Sequence, residues 1–84
     1  MNKKKLLLQL SEKPFLFSFS DLIRIVKAFR FPHRNTEGSH WIFKHPRIPE
    51  LLNIQNYKGR AKPYQIKQFL TLVNKYELQM EDES

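Results

Sequence analysis

The 84 residues include no cysteine, which excludes a disulfide framework and thiolate metal ligands and fits a reducing compartment. Glycine occurs only at Gly38 and Gly59, so a glycine-rich phosphate loop is excluded as well. Acidic residues are scarce, eight against 15 lysines and arginines, and four of them (Glu77, Glu81, Asp82 and Glu83) lie in the last eight residues. The first 76 residues therefore hold fifteen bases against four acids, a net +11. A body that basic favours a polyanion, because each neutralised phosphate releases condensed counterions; solubility charge spread over a solvated surface is the alternative. Carboxylates such as Glu37 and Glu50 stand alone, whereas a magnesium nuclease needs them clustered. His40 and His45 are five apart, not at the i, i+4 spacing of a helical zinc site. Neither a metal nor an organic cofactor is expected.

Long apolar runs are missing too. Three lysines and Leu6-Leu7-Leu8 briefly imitate a secretory signal, but Gln9 interrupts the run and Ser11-Glu12-Lys13 ends it. A signal needs roughly 7–15 apolar residues and a membrane span about 20. No segment joins a basic face to a broad apolar one, which argues against a membrane surface. A soluble, cytoplasmic protein with no membrane partner is expected. Hydrophobic residues make up 40% of the chain, enough for one modest core and a single domain.

Residues 1–17 show no clear period and are expected to form a mobile or loosely docked arm, with a short strand near Phe15–Phe17. A helix signal opens at Ser18, with Asp21 three residues on as a short capping box and Phe17 and Leu22 placed as a hydrophobic staple. Leu22, Ile23, Ile25, Val26 and Phe29 form a 3.6-residue stripe, with Arg24 and Lys27 off it. This helix is predicted to end near Arg30. Phe31–Thr36 is predicted as an edge strand, since Pro32 cannot donate to a ladder. Glu37-Gly38 makes a turn, Ser39–His45 a second strand and Leu51–Tyr57 a third, with Leu52 and Ile54 on one face. After the basic loop Lys58–Lys62, Pro63 suits the first turn of a second helix, whose stripe is Ile66, Phe69, Leu70, Val73 and Tyr76. Residues 77–84 form an acidic tail expected to fray. The order α-β-β-β-α predicts an α+β fold: a three-stranded antiparallel sheet with both helices on one face and the other face open to a partner.

The segment Gly38-Ser39-His40-Trp41-Ile42-Phe43-Lys44-His45-Pro46 resembles the Gly-Ser-His, apolar, aromatic, basic, His-Pro strand of the HicA toxins, and the similarity runs from about Ser18 to Tyr76. The resemblance implies a fold like that of double-stranded-RNA-binding domains. It also implies a metal-independent endoribonuclease acting on messenger RNA, held inactive by a HicB-type antitoxin. On it His40 is catalytic, Gly38 forms the tight turn and Ser39 stands beside the phosphate. Many members carry Pro-x-His after the third strand; here Gln55-Asn56-Tyr57 stands in its place.

The chemistry suits these residue types. RNA supplies its own nucleophile, the 2′-hydroxyl, so an enzyme need only move protons and steady the phosphate. Histidine suits the first task with an unperturbed pKa of about 6.5. Lys44, Lys58, Arg60 and Lys62 are the candidate phosphate contacts. His45 falls on the opposite strand face and is taken as structural. Strand alternation groups His40 with Ile42 and Lys44, so an inward Ile42 would turn His40 inward too. Trp41 and Phe43 share the other face, either stacking on bases or packing as core or antitoxin contacts. A non-catalytic RNA-binding or adaptor module on the same scaffold is the alternative function, and a purely protein-binding domain a third.

Overall fold

The computed structural model describes residues 8–10, 12 and 17–80. Helix α1 (Phe19–Ala28) starts where Ser18, in extended backbone, accepts the Asp21 N–H on its hydroxyl at 3.2 Å. That bond satisfies one of the amides a first turn leaves without an intrahelical partner. Phe17 and Leu22 are both buried beside the cap, as the staple requires.

The end of α1 is equally specific. Arg30 adopts φ 67°, its N–H reaches the Lys27 carbonyl at 3.0 Å, and the Phe31 N–H reaches that of Val26 at 3.3 Å. This is Schellman closure, in which the left-handed residue is usually glycine. Phe31, expected in a strand, instead supplies the apolar residue after the cap and is fully buried. A side chain in left-handed backbone costs roughly 1–2 kcal/mol. Arg30→Gly is therefore expected to stabilise the protein by about 1 kcal/mol, seen as a higher urea midpoint at unchanged m-value; an unchanged or lower midpoint would contradict it.

Strands β1 (His33–Glu37), β2 (His40–Lys44) and β3 (Leu51–Gln55) form one antiparallel sheet in that order. The β1–β2 hairpin closes through Gly38-Ser39, with positive φ at Gly38 and not at Ser39, the II′ pattern that matches strand twist. Pairing slips between His33 and Asn35, so Arg34 is the extra residue of a bulge near the proline end of the edge strand. In the β2–β3 pair, Trp41 faces Ile54 and Phe43 faces Leu52, while His40 faces Gln55 and Ile42 faces Asn53. Opposed residues share a sheet face. Since Phe43, Leu52 and Ile54 are fully buried, Trp41 lies on the core side and His40, Ile42 and Lys44 lie on the other.

Helix α2 (Pro63–Lys75) begins with Pro63 in its first turn and packs with α1 against the buried sheet face. Leu22, Ile25 and Val26 of α1, Ile66, Phe69 and Leu72 of α2, and Phe43, Leu52 and Ile54 of the sheet make one core. The stripe of α2 is rotated from its expected position. Leu72 and Gln65 are buried, whereas Leu70, Val73 and Tyr76 are only partly covered. Gln65 is tolerated inside because its Oε1 accepts the Gln55 N–H at 2.8 Å, so the buried amide oxygen has a partner.

Both ends of the described part of the chain add to the core. Residues 8–10 and 12 are helical, and Leu10 is fully buried. Phe17 belongs to no strand, and the rest of the short strand expected there lies outside the described residues. At the other end, Glu77 adopts φ 49° and the Leu78 N–H bonds the Val73 carbonyl at 2.9 Å. Leu78 and Met80 then lie against the core, so residues 77–80 fold back where fraying was expected, and the rest of that expected tail, 81–84, lies outside the described residues. No helix among the described residues is long and apolar enough to cross a membrane.

Candidate active site

His40 is the first residue of the central strand, directly after the II′ turn. The outward position of Ile42 resolves the alternation problem: His40 lies on the open face, half-buried. Its register partners there are Glu37 on one side and Gln55 on the other. His40 Nδ1 lies 3.1 Å from Asn53 Oδ1. With the amide oxygen as acceptor, Nδ1 carries the proton whether the ring is neutral or charged, and Nε2 is the nitrogen that exchanges one. Asn53 therefore orients the imidazole. Asn53 and Glu37 were not recognised as site residues from sequence, because only strand register brings them beside His40.

A chain of bonds holds the turn in place. Gln65 fixes the Gln55 backbone, the Gln55 Nε2 donates to Ser39 Oγ at 3.3 Å, and the Asn56 N–H donates to the Ser39 carbonyl at 2.8 Å. Asn56 Oδ1 in turn accepts the Gly59 N–H at 2.8 Å. Gln55-Asn56-Tyr57 thus adjoins the Gly38-Ser39-His40 turn and supports it without offering an imidazole.

The basic loop is a formed turn. Tyr57 and Arg60 exchange backbone bonds of 3.0 and 2.9 Å around Lys58 and Gly59, both at positive φ (52° and 81°), the I′ pattern. The Gly59 carbonyl accepts the Phe19 N–H at 2.9 Å, which ties the turn to the start of α1. The Lys58 and Lys62 ammonium groups lie 5.6 and 5.2 Å from the Tyr57 ring centre, within cation–π range. Gly38, Ser39 and His40 thus share one end of the sheet with the base of the turn carrying Lys58, Arg60 and Lys62. Lys44 is four residues further along β2, roughly 13 Å at strand rise. Its ammonium bonds the carbonyls of His45, at 3.1 Å, and Ile48, so it does not join the His40 end.

His33, His45, Trp41 and Phe43 take structural places. Phe43 is fully buried, and Trp41 packs edge-on against Phe19 at 5.2 Å between ring centres, so both serve the core face. The His33 ring lies 4.7 Å from that of Trp41, and its Nε2 is 2.7 Å from Thr36 Oγ1. His45 is buried, edge-on to Phe31 at 5.1 Å, with its Nδ1 accepting the Arg47 N–H at 3.0 Å. A ring nitrogen that accepts is unprotonated. Burial first, and then the charges of Arg47, Lys44 and Arg30, hold this imidazole below the usual histidine range.

That depression carries a sign. With the folded pKa below the unfolded value of about 6.5, the unfolded chain binds the proton first as pH falls. His45's contribution is complete above about pH 6.5 and is lost as pH drops through and below it. The urea midpoint is expected to fall from pH 7.5 to pH 5, and to fall less in His45→Gln; equal falls would contradict this.

A cleft of ≈ 640 Å³ opens beside His45, Arg30, Arg47 and Glu77, at the end of β2 away from His40. His40 does not line it. Among the described residues no three His, Cys, Asp or Glu side chains are grouped to hold a metal ion. Comparison with protein-family models, curated proteins and solved structures finds no match for the chain.

Proposed function

We propose that this protein is a metal-independent endoribonuclease of the HicA toxin type, on a scaffold like that of double-stranded-RNA-binding domains, cutting messenger RNA and restrained by a HicB-type antitoxin. The observation that carries the reading is His40: it stands on the open face at the end of a tight turn, its Nδ1 held by Asn53 at 3.1 Å and its Nε2 left to exchange a proton. Nε2 takes the proton of the 2′-hydroxyl, the 2′-oxygen closes on phosphorus, and the P–O5′ bond breaks. The imidazolium then returns the proton to the departing 5′-oxygen, leaving a 2′,3′-cyclic phosphate and a 5′-hydroxyl. Lys58, Arg60 and Lys62, at the same end of the sheet, neutralise the phosphate, an electrostatic contribution that strengthens as water is excluded. The open face, with its net positive body, presents the surface that an RNA or an acidic antitoxin segment would cover.

The test is incubation of purified protein with RNA in EDTA. Cutting that yields cyclic phosphate ends is expected; intact RNA at all protein concentrations would overturn the reading. The second reading, a non-catalytic RNA-binding or adaptor module, is favoured by Gln55-Asn56-Tyr57, which brings amides and a phenol to the place where many HicA toxins carry a histidine. It expects salt-dependent RNA binding with no cleavage and no effect of replacing His40.

A further inference from the structure

Lys27 and Arg30 at the end of α1 and Lys44 at the end of β2 surround an open cleft of ≈ 490 Å³ whose floor is Phe31, Pro32 and Pro46. Three features distinguish this place. Its rim is wholly cationic, and none of the three side chains is ion-paired among the described residues. Its floor is apolar, with Pro32 and Pro46 exposed and Phe31 buried beneath. And Arg30 occupies left-handed backbone at φ 67°, as Lys58 and Glu77 do elsewhere, where glycine would close the helix without strain.

The Lys44 ammonium spends two of its protons on the carbonyls of His45 and Ile48, which leaves one for a ligand. These bonds fix it in place instead of leaving it to swing in solvent. His45 lies against Phe31 under this corner, its pKa held down by burial first and then by the charges of Arg47, Lys44 and Arg30. Glu77 lines the neighbouring cleft, and no carboxylate lines this one.

We infer that this corner is a nucleotide subsite, in which Lys27, Arg30 and Lys44 hold one phosphate of a single-stranded nucleic acid while the adjoining base lies on Pro32 and Pro46. Cations above an apolar platform match the two parts of a nucleotide, a phosphate and a flat ring; an acidic peptide needs the cations alone. The subsite lies at the open end of the β1–β2 hairpin, and His40 lies at its turn end. A strand crossing the open face would be gripped at the first and cut at the second. The inference rests on the nucleic-acid part of the proposed function and is independent of cleavage.

Arg30→Gly separates a binding role from a structural one, because it relieves the backbone while removing the cation. Affinity of the full chain for a single-stranded 2′-O-methyl oligoribonucleotide, which offers no 2′-hydroxyl to cleave, is measured across a salt series. Arg30→Gly is expected to weaken binding about fivefold and to reduce the salt slope by about 0.7, the value of one phosphate contact on a single strand. Arg30→Lys should retain most of the affinity. Lys67→Gln, an equal charge change on the exposed outer side of α2, gives the effect of net charge alone. Equal losses in Arg30→Gly and Lys67→Gln would overturn the subsite. So would a poly-glutamate that competes as well as an oligonucleotide of equal charge, which would assign the corner to a protein partner. If wild-type protein fails to cut RNA yet Arg30→Gly selectively weakens binding, the subsite stands and only the catalytic reading falls.

Discussion

His40→Ala is expected to lower RNA cleavage by at least about 100-fold, because the proposed proton-transfer group is lost while the cations proposed to hold the phosphate remain. Positioned general acid–base groups contribute typically 10²–10⁴-fold, and in the proposed mechanism one imidazole performs both transfers. The fold should survive, since His40 is half-buried on the open face and its one side-chain bond is to the exposed Asn53. Circular dichroism and urea midpoint of the variant should match wild type, which makes the loss of cleavage interpretable. Asn53→Ala is expected to act through His40: about tenfold lower kcat with unchanged KM, restored in part by Asn53→Asp, which returns an acceptor for Nδ1. A variant His40→Ala that cuts as fast as wild type would remove the catalytic assignment.

Phe69→Ala is expected to have the largest effect on stability. Its ring lies 5.6 Å from that of Phe29 and 5.8 Å from that of Phe31, both edge-on, and the side chain is fully buried. It therefore joins α2 to both sides of the Schellman closure that ends α1. Removing a buried phenyl ring costs about 3–5 kcal/mol, which includes the edge-to-face contacts worth roughly 0.5–1.5 kcal/mol each. A chain of 84 residues has a total stability of roughly 4–13 kcal/mol at typical values per residue. Between about a quarter and all of the margin would go, and thermal unfolding should begin far below the wild-type transition. A midpoint lowered by less than about 1 kcal/mol equivalent would mean that the core does not depend on this ring.

Helix α1 was legible in the sequence because its signals are local. Ser18, the Phe17–Leu22 pair and the 3.6-residue stripe each act within a few residues, and the structure uses all of them. A turn with positive φ at Gly38 was legible for the same reason, but it was expected at Glu37-Gly38, and Ser39, expected in the second strand, belongs to the turn instead. The facing of β2 was not: Trp41-Ile42-Phe43 is bulky throughout, so residue type does not say which side is buried. The answer lies in β3, where Leu52-Asn53-Ile54 alternates and pairing transmits that alternation to β2. The same register brings Asn53 and Glu37 to His40, a placement no local pattern encodes. Nor did composition reveal that Lys44 lies apart from the other candidate cations, because its position depends on strand length and on carbonyls of the following loop.

Phe31 and Gln65 illustrate tertiary demands that override local expectation. Phe31 follows a helix whose closure needs an apolar residue at that point, so it is drawn into the core instead of the edge strand. Gln65 is buried to receive a single N–H from the end of β3, and through Gln55 this one bond helps fix the turn that presents His40. Site and core are thereby coupled: the bond that explains a buried amide in α2 also sets the place of the proposed catalytic histidine.

The central claim is tested most directly by inducing wild-type protein and His40→Ala in parallel in growing bacterial cells, with protein levels matched and messenger RNA followed over time. Growth arrest with messenger RNA loss from wild type, and normal growth with intact messenger RNA from His40→Ala, is the predicted result. Identical growth and identical messenger RNA in the two cultures would contradict it.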